Sequence, residues 1–319
     1  MTPILFSMGA SSGLAERLAQ ACALELGELI QRPFPDQESY LRLMTAVAGC
    51  DVAFFSPLDR PDAKTLPLLL LAAAAREQGA RSVGLVAPYL GYMRQDRAFN
   101  PGEAVTSVSY AALLSRAFDW LVTVDPHLHR HASLDAIYTI PSAVASAAQP
   151  VADWVRREVD NPILIGPDEE SAQWVEHIAS LAGARSTVLR KTRRGDYDVS
   201  IDGAPLQQNS GATPVIVDDI VSSGRTMIEA ARLVRHAGWR PPICIAVHAL
   251  FAGDAYQALQ SAGAARIIST NTITHPSNTI DVSRPLADAV AQFVGEARGP
   301  SELIGVTPEL RPRKRRSQS

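Results

Sequence analysis

The sequence predicts an α/β protein made of two halves of similar design, each a mainly parallel sheet flanked by helices. Apolar runs of strand length alternate with helix-length segments of amphipathic spacing, and this alternation runs through the chain twice. At 319 residues the chain is long enough for two ordinary domains with a core each. The third observation is local. Pro214–Thr226 reads as a buried strand, two adjacent carboxylates and a Ser/Gly/Thr loop opening onto a helix at Met227–Ala237, the βα joint from which parallel sheets are built.

Taken in order, Pro3–Phe6 is a strand ending at Ser7-Met8. A helix follows from about Ser12, with Leu14, Leu18, Cys22 and Leu26 on one stripe. Glu28–Gln31, Tyr40–Leu43 and Asp51–Ser56 have strand character, Thr65–Gly79 is a helix with a glycine stop, and Ser82–Ala87 is a strand. A helix at about Ala104–Phe118 and a strand at Trp120–Val124 complete this half. The Ser/Ala-rich piece Pro141–Pro150 interrupts the pattern, so the boundary is placed there, giving domains at 1–143 and 144–298. The second half predicts a helix at Val151–Val159 with Trp154 facing inward, a strand at Pro162–Gly166, a helix at Ala172–Leu181 and a strand at Ser186–Arg190. After the Pro214 strand come Ile243–Ala249, a helix from about Ala255, the strand Arg266–Thr270 and a closing helix at Arg284–Arg298 capped by Ser283. Residues 299–319 form an extension whose Arg311–Arg316 run reads as a solvated, disordered end.

Composition narrows the class. Hydrophobic content of 46% with 20% charged residues is that of a globular soluble protein, and a net charge of −3 gives no general attraction to nucleic acid or acidic lipid. The three cysteines, Cys22, Cys50 and Cys244, lack metal spacing and read as reduced thiols of a cytoplasmic protein. No basic n-region precedes the first apolar run, and Leu66–Ala75 is too short to span a bilayer.

Parallel sheets collect ligands at the carboxyl ends of their strands, where Ser7-Met8, Phe34–Glu38, Tyr89–Asp96 and Asp125–His131 are expected. In the second half, the loop after Asp218 and Asp219 offers backbone N–H groups and a helix N-terminus to a phosphate, while the carboxylates accept from sugar hydroxyls. A phosphorylated sugar fits both parts; a Rossmann-type turn capped by one aspartate is the bland alternative. Phe34-Pro35-Asp36-Gln37-Glu38 can stack on a purine and accept from its amino group, or simply plug a loop. The guanidinium groups of Arg94 and Arg97 suit phosphate oxygens, or with Asp96 make a salt-bridged loop. His127, His129 and His131 alternate in the manner of zinc ligands, but no cysteine or compact fourth ligand lies near, and only His127 is taken as a site residue.

These stretches resemble the ribose-phosphate pyrophosphokinase (PRPP synthetase) family over roughly residues 3–285, and its archaeal-type branch most, through Asn100-Pro101-Gly102-Glu103 and Ser222. The resemblance implies two domains of the type I phosphoribosyltransferase kind, with ATP and ribose 5-phosphate as substrates and Mg²⁺ as cofactor. It places ATP on Phe34, Asp36, Glu38, Arg94 and Gln95, and ribose 5-phosphate on Asp218, Asp219, Ser222, Ser223, Gly224, Arg225 and Thr226. Metal contacts fall to His127 and Asp168, and catalysis to Lys191, Arg193 and His127. Self-association, a dimer at least, is implied too. Gln37 and Glu170 stand where relatives have glycine, and Glu169-Glu170-Ser171 departs from the family pattern after Pro167-Asp168. A catalytically weak or regulatory relative is therefore the alternative, with a nucleobase phosphoribosyltransferase behind it.

Overall fold

The computed structural model describes residues 1–9, 13–128, 130–189 and 211–294, with the backbone of 201–202. The first half holds β1 (Ile4–Ser7), α1 (Leu14–Ala21), β2 (Glu25–Gly27), β3 (Leu29–Pro33), β4 (Ser39–Leu43), β5 (Asp51–Phe55), α2 (Pro61–Glu77), β6 (Ser82–Ala87), α3 (Thr106–Ala117), β7 (Trp120–Val124) and β8 (Ser142–Ala145). The second holds α4 (Ala148–Glu158), β9 (Pro162–Gly166), α5 (Ala172–Ala182), β10 (Arg185–Leu189), β11 (Ile201–Asp202), β12 (Thr213–Val221), α6 (Arg225–His236), β13 (Ile243–Ala249), α7 (Ala255–Ser261), β14 (Arg266–Thr270), β15 (Asn278–Ile280) and α8 (Ser283–Val290).

Six strands pair in the order β2-β1-β5-β6-β7-β8, all parallel, and seven in the order β11-β10-β9-β12-β13-β14-β15, with only β11 antiparallel. The expected pair of parallel sheets is present. Alternation along each strand splits the core: Val215, Val217 and Ile245 enter a cluster shared with Leu14, Val122 and Val151, while Ile216 and Cys244 pack with α6 and α7 on the other face. One face of each sheet therefore meets the same buried layer. Trp120 on β7 also stacks on Phe293 beyond α8, centroids 5.1 Å apart. That indole lies against Gly84, where a Cβ would come within 1.9 Å of it, so only glycine fits.

Several boundaries moved for local reasons. Helix α2 begins at Pro61 rather than Thr65, because proline suits the first helical position. Its buried face is Leu68, Leu71, Ala72 and Ala75, but Leu66 and Leu70 are 62% and 47% exposed. The α1 stripe ends early: Leu14 and Leu18 are buried, whereas Leu26 is exposed on β2. The second strand of the first sheet is Glu25–Gly27, and Leu29–Pro33 pairs antiparallel with Ser39–Leu43 in a separate hairpin. Phe34–Glu38 is therefore a hairpin tip, not the end of a parallel strand. Strands β8 and β15, short and made largely of small or polar residues, gave no apolar run to detect. Ser283 does not cap α8; it is the first helical residue, and Asp281 accepts from its N–H and its hydroxyl at 3.1 and 2.7 Å. The end of the predicted closing helix and the basic tail lie outside the described residues.

Candidate active site

The carboxyl ends of β7 and β12 face each other across a cleft of about 750 Å³, lined by Arg94, His127, Asp168, Asp218, Asp219 and Thr226 together with an apolar side that includes Trp174. The strand carrying the two aspartates runs on to Val221, so both lie within β12 and not after it. Asp218 Oδ1 accepts from the N–H of Asp219 at 3.0 Å, and Asp219 Oδ1 from that of Ile220 at 2.7 Å.

At the cleft the two halves meet in one histidine–carboxylate pair. His127 Nδ1 lies 2.9 Å from Asp219 Oδ2. Burial pulls the Asp219 carboxyl upward, but the hydrogen bond and charge of His127, with His248 behind, leave it below the ordinary value. An ionised carboxylate only accepts, so Nδ1 carries the hydrogen and donates it to Asp219. Asp218 goes the other way: burial, then the charges of Asp219 and Asp168, push it well above the carboxylate range. Adjacent on one strand at the cleft, the two carboxyls suit two vicinal hydroxyls.

Beyond β12, Gly224 has φ 70° and precedes α6, which no side chain caps, so a phosphate has first-turn N–H groups to meet. The loop is held from below: Phe251 N–H donates to Val221 O at 2.9 Å and Ala252 N–H to Ser222 O at 3.0 Å. Arg225 begins the helix instead of ending the loop. On the opposite wall, Asp125 has φ 32° and its carboxylate takes the Ala147 N–H at 2.7 Å; burial raises its pKa to about 6. Arg130 reaches Asp96 at 3.4 Å, tying the Arg94-Gln95-Asp96 segment to the His127 loop. Glu103 closes the neighbouring turn by accepting from the N–H groups of Phe99 and Asn100. His131 turns away to Ser107, 3.3 Å distant, and His129 lies outside the described residues.

Asp168 is drawn into a turn, its Oδ1 accepting from Ser171 N–H at 3.1 Å while Ser171 Oγ donates to Asp168 O at 2.7 Å. Glu170 lines the cleft as well. For a magnesium ion the donors are of the right kind, hard carboxylate oxygens with one imidazole. Among the described residues no three His, Cys, Asp or Glu side chains form a ready cage, so phosphate and water would supply most of the ligands.

Not every expected residue arrives here. Phe34, Asp36 and Glu38 do not line the cleft; Phe34 stands 39% exposed at the hairpin tip, its ring edge-on to Tyr40 with Arg32 above both. Gln37 there has φ 74°, which explains why glycine serves better at that position. Gln95 is not a lining residue, and Lys191 and Arg193 lie outside the described residues. Sequence reasoning passed over Trp174 and His248. Only His248 carried a signal, as the one basic residue in the apolar run Ile243–Ala249.

Two parallel-sheet domains whose strand ends meet at one cleft have the architecture of the phosphoribosyltransferase class. The model for the N-terminal domain of ribose phosphate pyrophosphokinase matches residues 3–117, and the phosphoribosyl transferase domain matches 133–285. The chain is similar to the ribose-phosphate pyrophosphokinase of Methanopyrus kandleri, 34% identical over 88% of this chain and 96% of that one, and to that of Sulfurisphaera tokodaii, 31% identical over 89% and 99%. Its fold is similar to that of the phosphoribosylpyrophosphate synthetase of Mycobacterium smegmatis, with a TM-score of 0.77 at 24% identity over 92% and 98% of the two chains. The chain belongs to the ribose-phosphate pyrophosphokinase family.

Proposed function

We propose that this chain is a working ribose-phosphate diphosphokinase that transfers the diphosphoryl group of ATP to O1 of ribose 5-phosphate. The sugar O1 attacks the β-phosphorus, the bond from that phosphorus to the oxygen bridging to the α-phosphorus breaks, and AMP leaves beside PRPP. The observation that carries this is the His127–Asp219 pair, which puts a residue of each half at one cleft.

Each role follows from chemistry already described. The Ser222–Thr226 loop holds the 5-phosphate, and Asp218 and Asp219 hold the 2- and 3-hydroxyls. Arg94 contacts the ATP phosphates with Gln95 beside it, and this reading also assigns adenine stacking to Phe34 and nucleoside contacts to Asp36 and Glu38, although their hairpin does not line this cleft. Lys191 and Arg193 stabilise the charge that develops in transfer, the main demand of phosphoryl chemistry. His127 and Asp168 would hold magnesium, which supplies charge neutralisation of the polyphosphate. A cytoplasmic location belongs to this reading, and no described helix is long and apolar enough to cross a membrane. So does self-association into at least a dimer, supported by Leu66 and Leu70 exposed one turn apart on α2.

One observation favours a second reading. Glu170 adds a carboxylate to a cleft meant for phosphates, which suits a regulatory relative that has lost turnover. Purified protein with ATP, ribose 5-phosphate and magnesium separates the two. AMP and PRPP formed in equal amounts support the enzyme; tight ATP binding without either product supports the regulatory protein.

A further inference from the structure

We infer that His248 is a positioning residue, a buried pin between the two sheets that holds His127 against Asp219. His248 stands near the carboxyl end of β13 and is 1% exposed. Its Nε2 lies 3.1 Å from Val124 O and 3.3 Å from Asp125 O. Both partners are carbonyls, so Nε2 carries a hydrogen and donates. Nδ1 lies 2.9 Å from the Thr272 hydroxyl, which also reaches Val247 O at 3.0 Å, and the ring is braced by Tyr89, whose centroid is 4.9 Å distant.

The two carbonyls belong to the segment that delivers His127 two residues later. That segment is bent, with Asp125 at φ 32°, a region costly for a non-glycine residue unless its surroundings impose it. One imidazole gathering both carbonyls imposes it. On the other side, His248 pairs in register with Ile220, the residue after Asp219. A single side chain thus fixes the His127 segment relative to the strand bearing Asp219. Burial lowers its pKa to about 4 and keeps it neutral; the charged or titratable groups around it are Asp219 from β12, Asp125 and His127 from the β7 end, and Tyr89 from the β6 end.

The catalytic consequence rests on the proposed reaction, but the geometry can be tested without it. His248→Leu fills the space and removes the N–H; His248→Gln restores a donor at similar reach. In substrate-free full-length protein with ¹⁵N-labelled histidine, the hydrogen-bonded Nδ1–H of His127 should be seen in wild type and H248Q and be lost in H248L. In turnover, H248L should lower kcat about 10- to 100-fold, with KM for ribose 5-phosphate within about threefold, and H248Q should recover most of the loss. An unchanged His127 proton in H248L overturns the inference, as does equal impairment of kcat and thermal stability in both variants. If H248L does not fold, Thr272→Val takes its place: loss of the His127 proton supports the pin and its retention overturns it. Should wild type make no PRPP, the reaction reading fails alone and the resonance still decides this one.

Discussion

Asp219 and Asp218 differ by one position and are driven in opposite directions, because only Asp219 meets an imidazole. Removing that partner should matter to chemistry more than to folding: His127→Ala is expected to cut kcat at least tenfold while shifting the melting temperature by a few degrees at most. Comparable losses in both would place His127 in the scaffold. Gly224, at φ 70°, joins the proposed phosphate loop to α6. Ala in its place meets only ordinary contacts from Ile228 and Ala255, so the cost is conformational, about 1–2 kcal/mol. The thermal upshift produced by ribose 5-phosphate should shrink with it, and an undiminished upshift would show that the loop holds no phosphate. Glu170 puts negative charge in the cleft proposed to take the polyphosphate. Glu170→Gly should tighten KM for ATP by about fivefold, on the order of 1 kcal/mol for one charge across solvent; a collapse of activity would mean that the carboxylate is required.

At the scale of elements, β12–loop–α6 was readable because a parallel βα joint needs an apolar run, a tight turn and a helix in immediate succession, and Val215–Val217, Gly224 and Met227–Val234 supply them in order. The β3–β4 hairpin was not. Its strands are half-exposed and its turn holds Gln37 in a left-handed conformation with no glycine to announce it. Gln37→Gly should relieve that strain and stabilise the protein by roughly 0.5–1 kcal/mol, measured by chemical denaturation. No gain would mean that the turn tolerates glutamine freely.

For the whole molecule, the seam between the sheets sets the response to acid. His248 is held neutral at a pKa of about 4, against an unfolded value near 6.5. A depressed histidine contributes stability that is complete above the unfolded value and lost as pH falls through the folded one. Wild type should lose on the order of 2–3 kcal/mol between pH 6.5 and 4 through this group, and H248Q should lack that share of the slope. Denaturation series at pH 7 and 5 compare them; identical slopes would mean that His248 is solvated or charged in the folded state.

The sequence alone determined the architecture and offered a chemistry for each loop. Apolar periodicity is a local property, and carboxylates, guanidinium groups and a Ser/Gly/Thr loop suggest ligands by residue type. It could not say which loops share a site. Asp219 reaches His127 across 92 positions of chain, and Val124 reaches His248 across 124, because strands far apart in sequence end at one edge of two packed sheets. Tertiary structure alone decided that His127 pairs with Asp219, that Phe34 stands on a hairpin away from the cleft, and that a histidine in an apolar strand bridges the halves. Hydrogen bonds at 3 Å depend on where the sheets pack, and packing is set by the shared core of Val122, Val151, Val215 and Ile245, not by any local pattern.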